Sequence, residues 1–259
     1  MMFDVVTAAL LFSTSILSTR LYTKWNRQTA ALDFVELKLK YILVAIAVLI
    51  AALALFSYSP AMLVYYGYLA AFTAALYASS YLLSGRHYVS IALTALFALS
   101  FMFAWNILTL NAFALTAGIL FSIMLAAVMD NKSLLFFAAA LTVFDIIMVL
   151  GPMPLMTSAA EKIITLQLPS IVILPTFPVG GGMILGLGDV IFASLLTIKT
   201  GEGKGWRKAL TCALLIAASF TIFTFISYVL AGFGIRFLPA TPPILAGWLL
   251  NMLFTRSKS

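Results

Sequence analysis

The sequence predicts an all-α, polytopic membrane protein with nine transmembrane helices, and three observations carry that reading. Of its 259 residues, 64% are hydrophobic and only 9% are charged, whereas about 25% are charged in an ordinary soluble protein. With a mean hydropathy of +1.13, the chain carries more apolar surface than a water-soluble body of its size can hide. The apolar residues fall into nine stretches, each close to the roughly 20 residues that cross a hydrocarbon core of about 30 Å at about 1.5 Å per residue. The lysines and arginines then collect in alternate links between those stretches.

The stretches run 3–19, 41–58, 61–83, 88–105, 108–129, 133–150, 181–199, 209–232 and 239–254. They form one transmembrane domain: spans one to six over 3–150, an outer link over 151–180, and spans seven to nine over 181–254. No Lys or Arg precedes the first span, Asp4 does, and a positive cluster follows it. That is the pattern of a retained anchor with its N-terminus outside rather than of a cleaved signal peptide. The links at Ser59–Pro60 and Asn106 are short enough to require antiparallel neighbours.

After spans one, three, five, seven and nine come thirteen cations: Arg20, Lys24, Arg27, Lys38, Lys40, Arg86, Lys132, Lys199, Lys204, Arg207, Lys208, Arg256 and Lys258. The opposite links hold two, Lys162 and Arg236. Cationic links stay in the cytoplasm, so the expectation is a multi-pass cell-membrane protein with its N-terminus outside and its C-terminus cytoplasmic. Topology, not nucleic acid, then accounts for the net charge of +7. Cys212 and His87 are the only residues of their types, which argues against disulfides, thiolate zinc sites and histidine triads. Neither a metal nor a cofactor is expected.

Six of the eight acids fall at span ends or in links: Asp4, Asp33, Glu36, Asp130, Glu161 and Glu202. Asp145 and Asp189 lie inside spans six and seven, with no Lys or Arg inside the membrane to pair with them. An acid at the bilayer centre costs about 2.5–3.5 kcal/mol even on the lenient scale. Asp145 stands about 18 Å from the start of its span at Ser133, and Asp189 about 15 Å from the end of its span at Lys199, so the two share nearly one depth. Two carboxylates in contact cannot both ionise cheaply, and together they hold one proton near neutral pH. Such a pair can hydrolyse a peptide. The ionised member takes a proton from an attacking water, and the protonated member supplies one to the carbonyl oxygen. The same pair could instead relay protons in a transporter or channel.

Gly186-Leu187-Gly188-Asp189 reproduces a Gly-x-Gly-Asp motif, Phe144-Asp145 lies one span earlier, and Pro239-Ala240-Thr241-Pro242 opens the last span. In these residues the chain resembles the presenilin and signal peptide peptidase family of intramembrane aspartyl proteases, most nearly its compact microbial members. The resemblance is strongest from Ser133 onward; spans one to five match in number and hydrophobicity alone. It implies a presenilin-like fold and an aspartic endopeptidase with Asp145 and Asp189 as the catalytic pair. Phe144, Gly186, Leu187, Gly188, Pro239, Ala240 and Thr241 would shape the site and seat substrate. Two positions depart from the family pattern: Phe144 replaces a tyrosine, and Thr241 replaces the leucine of Pro-Ala-Leu. Thr241 leaves open a helix-binding homologue that does not cut. Type IV prepilin peptidases share Gly-x-Gly-Asp but have fewer spans and a first aspartate at the cytoplasmic face.

The inferred orientation resembles signal peptide peptidase. It implies as partners the lipid bilayer and transmembrane-helix substrates with the N-terminus inside, type II segments or remnant signal peptides. A homo-oligomer is compatible with the sequence but not specified by it. Glycines 180, 181, 182, 186 and 188 predict a loosely formed start to span seven and close backbone approach. Prolines 152, 154, 169, 175 and 178 break the outer link. Within it, Ser170-Ile171-Val172-Ile173-Leu174 reads as a short strand, offering an edge on which an unwound substrate could pair. On that reading Ile173→Pro abolishes cleavage and leaves folding intact.

Overall fold

The computed structural model describes residues 5–29, 55–150, 154–175, 182–231 and 239–256, with a few isolated positions between 44 and 52. Most of span two therefore lies outside the described residues. The elements in order are α1 (Val5–Thr29), α2 (Ala61–Ser84), α3 (His87–Phe103), α4 (Ile107–Val128), α5 (Asn131–Leu150), α6 (Pro154–Thr165), β1 (Ile171–Pro175), β2 (Gly182–Gly186), α7 (Leu187–Lys204), α8 (Trp206–Ala231) and α9 (Thr241–Arg256). Among the described residues, four helices, α1, α2, α4 and α8, are long and apolar enough to cross a membrane, and α3 and α9 are shorter apolar helices. The chain is thus a mainly helical protein with candidate membrane spans.

Local chemistry sets several boundaries. Asn106 caps α4: its side chain accepts from the N–H groups of Leu108 (2.9 Å) and Thr109 (3.0 Å), and Thr109 Oγ1 accepts from the Asn106 N–H. These bonds satisfy N–H groups that a helix start leaves without partners. Asp130 caps α5 by accepting from the Ser133 N–H at 2.8 Å, and the Ser133 hydroxyl and amide hold its carboxyl below the usual range. α1 runs ten residues past the end of span one, so Arg20 and Lys24 lie on the helix and not in a link. Hydrophobicity marks where a helix meets headgroups, whereas its hydrogen bonds continue through them.

α7 forms the centre, packed against α1, α4 and α8; α8 in turn packs along α9. Phe192, Leu195, Leu196, Ile198, Ile216, Phe220 and Ile244 are buried together there. Leu11, Tyr22 and Trp25 of α1 join that core, so the first span is a structural member of the bundle. A second cluster joins α2, α3 and α4 through rings, including Phe72–Phe97 at 4.8 Å and Phe97–Phe113 at 5.2 Å. α8 and α9 approach so closely at Gly247 that a Cβ there would stand 2.6 Å from Ile216 Cα.

On α6, Lys162 Nζ donates to the carbonyls of Phe56 (2.9 Å), Ser57 (2.5 Å) and Ser59 (2.8 Å). Carbonyls at a helix end lack partners along the chain, and this ammonium supplies three bonds. One of the two cations on the sparsely charged side thus has a structural use.

Candidate active site

A strand is present where one is expected, shifted by one residue to Ile171–Pro175, and it has a partner that the sequence does not reveal. The apolar pattern places Gly182–Gly186 at the beginning of span seven; in the structure it is β2, antiparallel to β1 with Ile173 opposite Ile184, and the helix starts only at Leu187. The glycines here disfavour a helix, and the neighbouring β1 gives their backbone another set of partners. Gly180 and Gly181 lie outside the described residues.

The register decides which edge of the sheet is open. Leu187 N–H donates to Ser170 O at 2.8 Å, continuing the ladder. At Ile173 the backbone turns away from β2: its N–H donates to Asn111 Oδ1 (2.8 Å), and its carbonyl accepts from Asn111 Nδ2 (2.7 Å). The α4 side chain thus behaves like a third strand one residue long, and the outer edge of β1 is closed at that point. By the alternation of an antiparallel ladder, Ile184 directs its N–H and C=O to the outer edge of β2. No other described strand pairs there. This corrects the expectation of an open edge on residues 170–174. It also changes the meaning of Ile173→Pro, which would remove a bond to α4 and so disturb the fold.

β2 leads directly to the second aspartate. Asp189 lies in the first turn of α7, half-buried, with the Gly186 N–H bonded to its carboxylate. A Cβ at Gly186 would stand 3.0 Å from Asp189 Oδ2, so the glycine permits this approach. Gly188 is exposed and faces open space, with nothing within 4 Å of where a Cβ would lie. Leu187 points the other way: 7% exposed, it belongs to the aromatic cluster and presses on Gly118 of α4. Its side chain is an anchor for the start of α7 and does not line the site.

Asp145 is also half-buried, on α5 after the half-buried Phe144. Thr241, the first residue of α9, donates to Asp145 Oδ2 twice, from its N–H at 3.0 Å and its hydroxyl at 2.8 Å. The departure from leucine at 241 therefore adds a second donor to one carboxylate oxygen. Pro239 is buried and Ala240 half-buried, packed on the main core, so the segment before α9 is held in place. α9 packs against both α5 and α7, which meet each other more sparingly. Asp189 is nonetheless near enough to feel the charge of Asp145.

Asn111 was not singled out from sequence; its signal was a lone amide in the first turns of an apolar helix. Among the described residues no group of three or more His, Cys, Asp and Glu could hold a metal ion. Compared with known proteins, the chain matches no protein-family model and no curated protein.

Proposed function

We propose that this chain is an intramembrane aspartyl endopeptidase of the presenilin and signal peptide peptidase kind, with nine transmembrane helices, N-terminus outside and C-terminus cytoplasmic. The observation that carries the reading is that Asp145 and Asp189 stand on separate helices within electrostatic reach of each other, with α9 bonded to one and a strand ending beside the other.

Each part has a use in peptide hydrolysis. Asp145, whose Oδ2 accepts two hydrogen bonds from Thr241, is given the part of the base. It removes a proton from water as the water oxygen bonds to the peptide carbon. Asp189 gives its proton to the carbonyl oxygen, forming a tetrahedral diol. Collapse of the diol breaks the C–N bond and re-forms the C=O: a diol hydroxyl returns its proton to Asp189, and the proton taken up by Asp145 passes to the leaving nitrogen, yielding an acid and an amine and restoring the pair. A helical substrate hides its carbonyls in hydrogen bonds and must first unwind. The outer edge of β2 at Ile184, where no other described strand pairs, is a place for the unwound segment to pair, and the space over Gly188 leaves room for its backbone beside Asp189.

The test uses purified protein in lipid vesicles with a model transmembrane peptide, comparing wild type with Asp145→Asn and Asp189→Asn. Cleavage by the wild type and loss in both variants, with unchanged circular dichroism, is expected. Cleavage that persists in either variant refutes the paired mechanism. Proton flux without cleavage, abolished by the same substitutions, would replace it with the transporter reading.

A further inference from the structure

At the end of the bundle away from the β-hairpin, α1, α7 and α8 enclose a groove of about 570 Å³ lined by Arg20, Thr23, Lys24, Gly201, Gly205 and Trp206, with Thr19 at its wall. Its volume is that of a small-molecule site, and its charge is one-sided. Arg20 and Lys24 are four residues apart on α1, hence neighbours on one face, and like charges at that spacing repel. The guanidinium of Arg20 lies over the Trp206 ring, 5.0 Å from its centroid, which fixes its direction. Lys24 is exposed and has no ion-pair partner among the described residues.

The nearest described acid on α7 is already engaged. Glu202 accepts from Tyr22 through Oε1 and from Lys199 through Oε2, each at 2.5 Å. The groove therefore presents two cations that no described carboxylate neutralises. Gly201 and Gly205 place no side chain in it, and Trp206 supplies an apolar and aromatic wall. On the topology proposed above, Arg20 directly follows span one, where headgroups meet hydrocarbon, and tryptophan is enriched at that level.

We propose that this groove binds a phosphoryl anion, held between Arg20 and Lys24 with Trp206 beside it, the headgroup of an anionic phospholipid being the source that fits its position. The anion relieves the repulsion between the cations, and the glycerol and upper acyl chain lie against the indole. The site is separate from Asp145 and Asp189 and does not depend on their chemistry.

Native mass spectrometry of the full chain, with phosphatidylglycerol or phosphatidylcholine added, tests the proposal. Selective retention of phosphatidylglycerol is expected. In Arg20→Gln/Lys24→Gln its affinity should fall about 30-fold, from the loss of two basic groups near the membrane surface; Lys132→Gln should match wild type. Lys24→Gln alone, at an exposed position, should cost about fivefold and serves if the double variant misfolds by circular dichroism. Thermal unfolding with inorganic phosphate distinguishes the sources: stabilisation by millimolar phosphate equal to that by the lipid assigns the site to a soluble phosphate, and stabilisation by the lipid alone assigns it to the headgroup. Equal retention of both lipids without a phosphate effect, or undiminished anion binding by Lys24→Gln and by a folded double variant, overturns the proposal.

Discussion

Gly247→Ala places one methyl group where α8 and α9 have no space for it. The new Cβ would stand 2.6 Å from Ile216 Cα, 2.7 Å from Leu215 O and 2.8 Å from Ile216 N. Non-bonded carbons rest at about 3.5–4.0 Å, so the two helices must part locally by about 1 Å. The obstacle is backbone and cannot rotate aside. Overpacking of this kind costs about 1–3 kcal/mol, against a gain of about 1 kcal/mol in helix propensity from Gly to Ala. With rigid atoms on one side the cost falls at the upper end, for a net loss of about 2 kcal/mol. Gly67 in α2 has nothing within 4 Å of the corresponding position, so Gly67→Ala should be neutral or stabilising by up to about 1 kcal/mol. Unfolding followed by circular dichroism in one detergent compares the two variants with wild type. Equal midpoints, or a Gly247→Ala variant more stable than Gly67→Ala, would refute the reasoning. Thr241 lies about 9 Å towards the N-terminus of the same helix, so the displacement should also loosen its bonds to Asp145.

Thr241→Val removes the hydroxyl at 2.8 Å and keeps the N–H at 3.0 Å. Hydrogen bonds to charged groups contribute about 1.5–3 kcal/mol, so kcat for peptide cleavage should fall about 10–100-fold with KM little changed; wild-type turnover would remove the hydroxyl from the mechanism. Gly186→Ala brings a methyl to 3.0 Å from Asp189 Oδ2, and should lower cleavage at least about tenfold while shifting stability by no more than about 0.5 kcal/mol; unaltered cleavage would mean the carboxylate has room to move. Asn111→Leu leaves the Ile173 N–H and C=O without their partners, at a cost of about 2 kcal/mol or more. Hydrogen exchange should show lost protection at Ile173, and unchanged protection there would contradict the role given to Asn111.

Much of the helical layout was legible because lipid imposes a simple rule: a crossing needs a certain length of apolar chain. Eight of the nine stretches hold a helix among the described residues, the seventh only from Leu187 onward, and the second falls mostly outside them. Asp130 and Asn106 were legible as boundary residues because they lie between apolar stretches; that they cap α5 and α4 is shown by the structure. Asp145 and Asp189 stood out because few charges enter the apolar stretches. A strand over 170–174 was readable from β-branched residues between prolines, one residue short of the observed Ile171–Pro175.

What the sequence determined alone was local: where most helices lie, which two acids fall inside apolar stretches, and one strand to within a residue. The tertiary structure decided the partners. Gly182–Gly186 forms a strand because β1 lies beside it; without that neighbour the same glycines read only as a weak helix start. β1 is closed by an amide 62 residues away, leaving the outer edge of β2. Thr241 reads as a changed packing residue until α9 is set on α5, where its hydroxyl becomes a donor to Asp145 across 96 residues. Leu187, inside the motif, turns into the core because α4 offers a gap at Gly118. Hydrophobic length is a property of a segment, whereas a hydrogen bond needs two groups whose meeting depends on how every intervening helix packs.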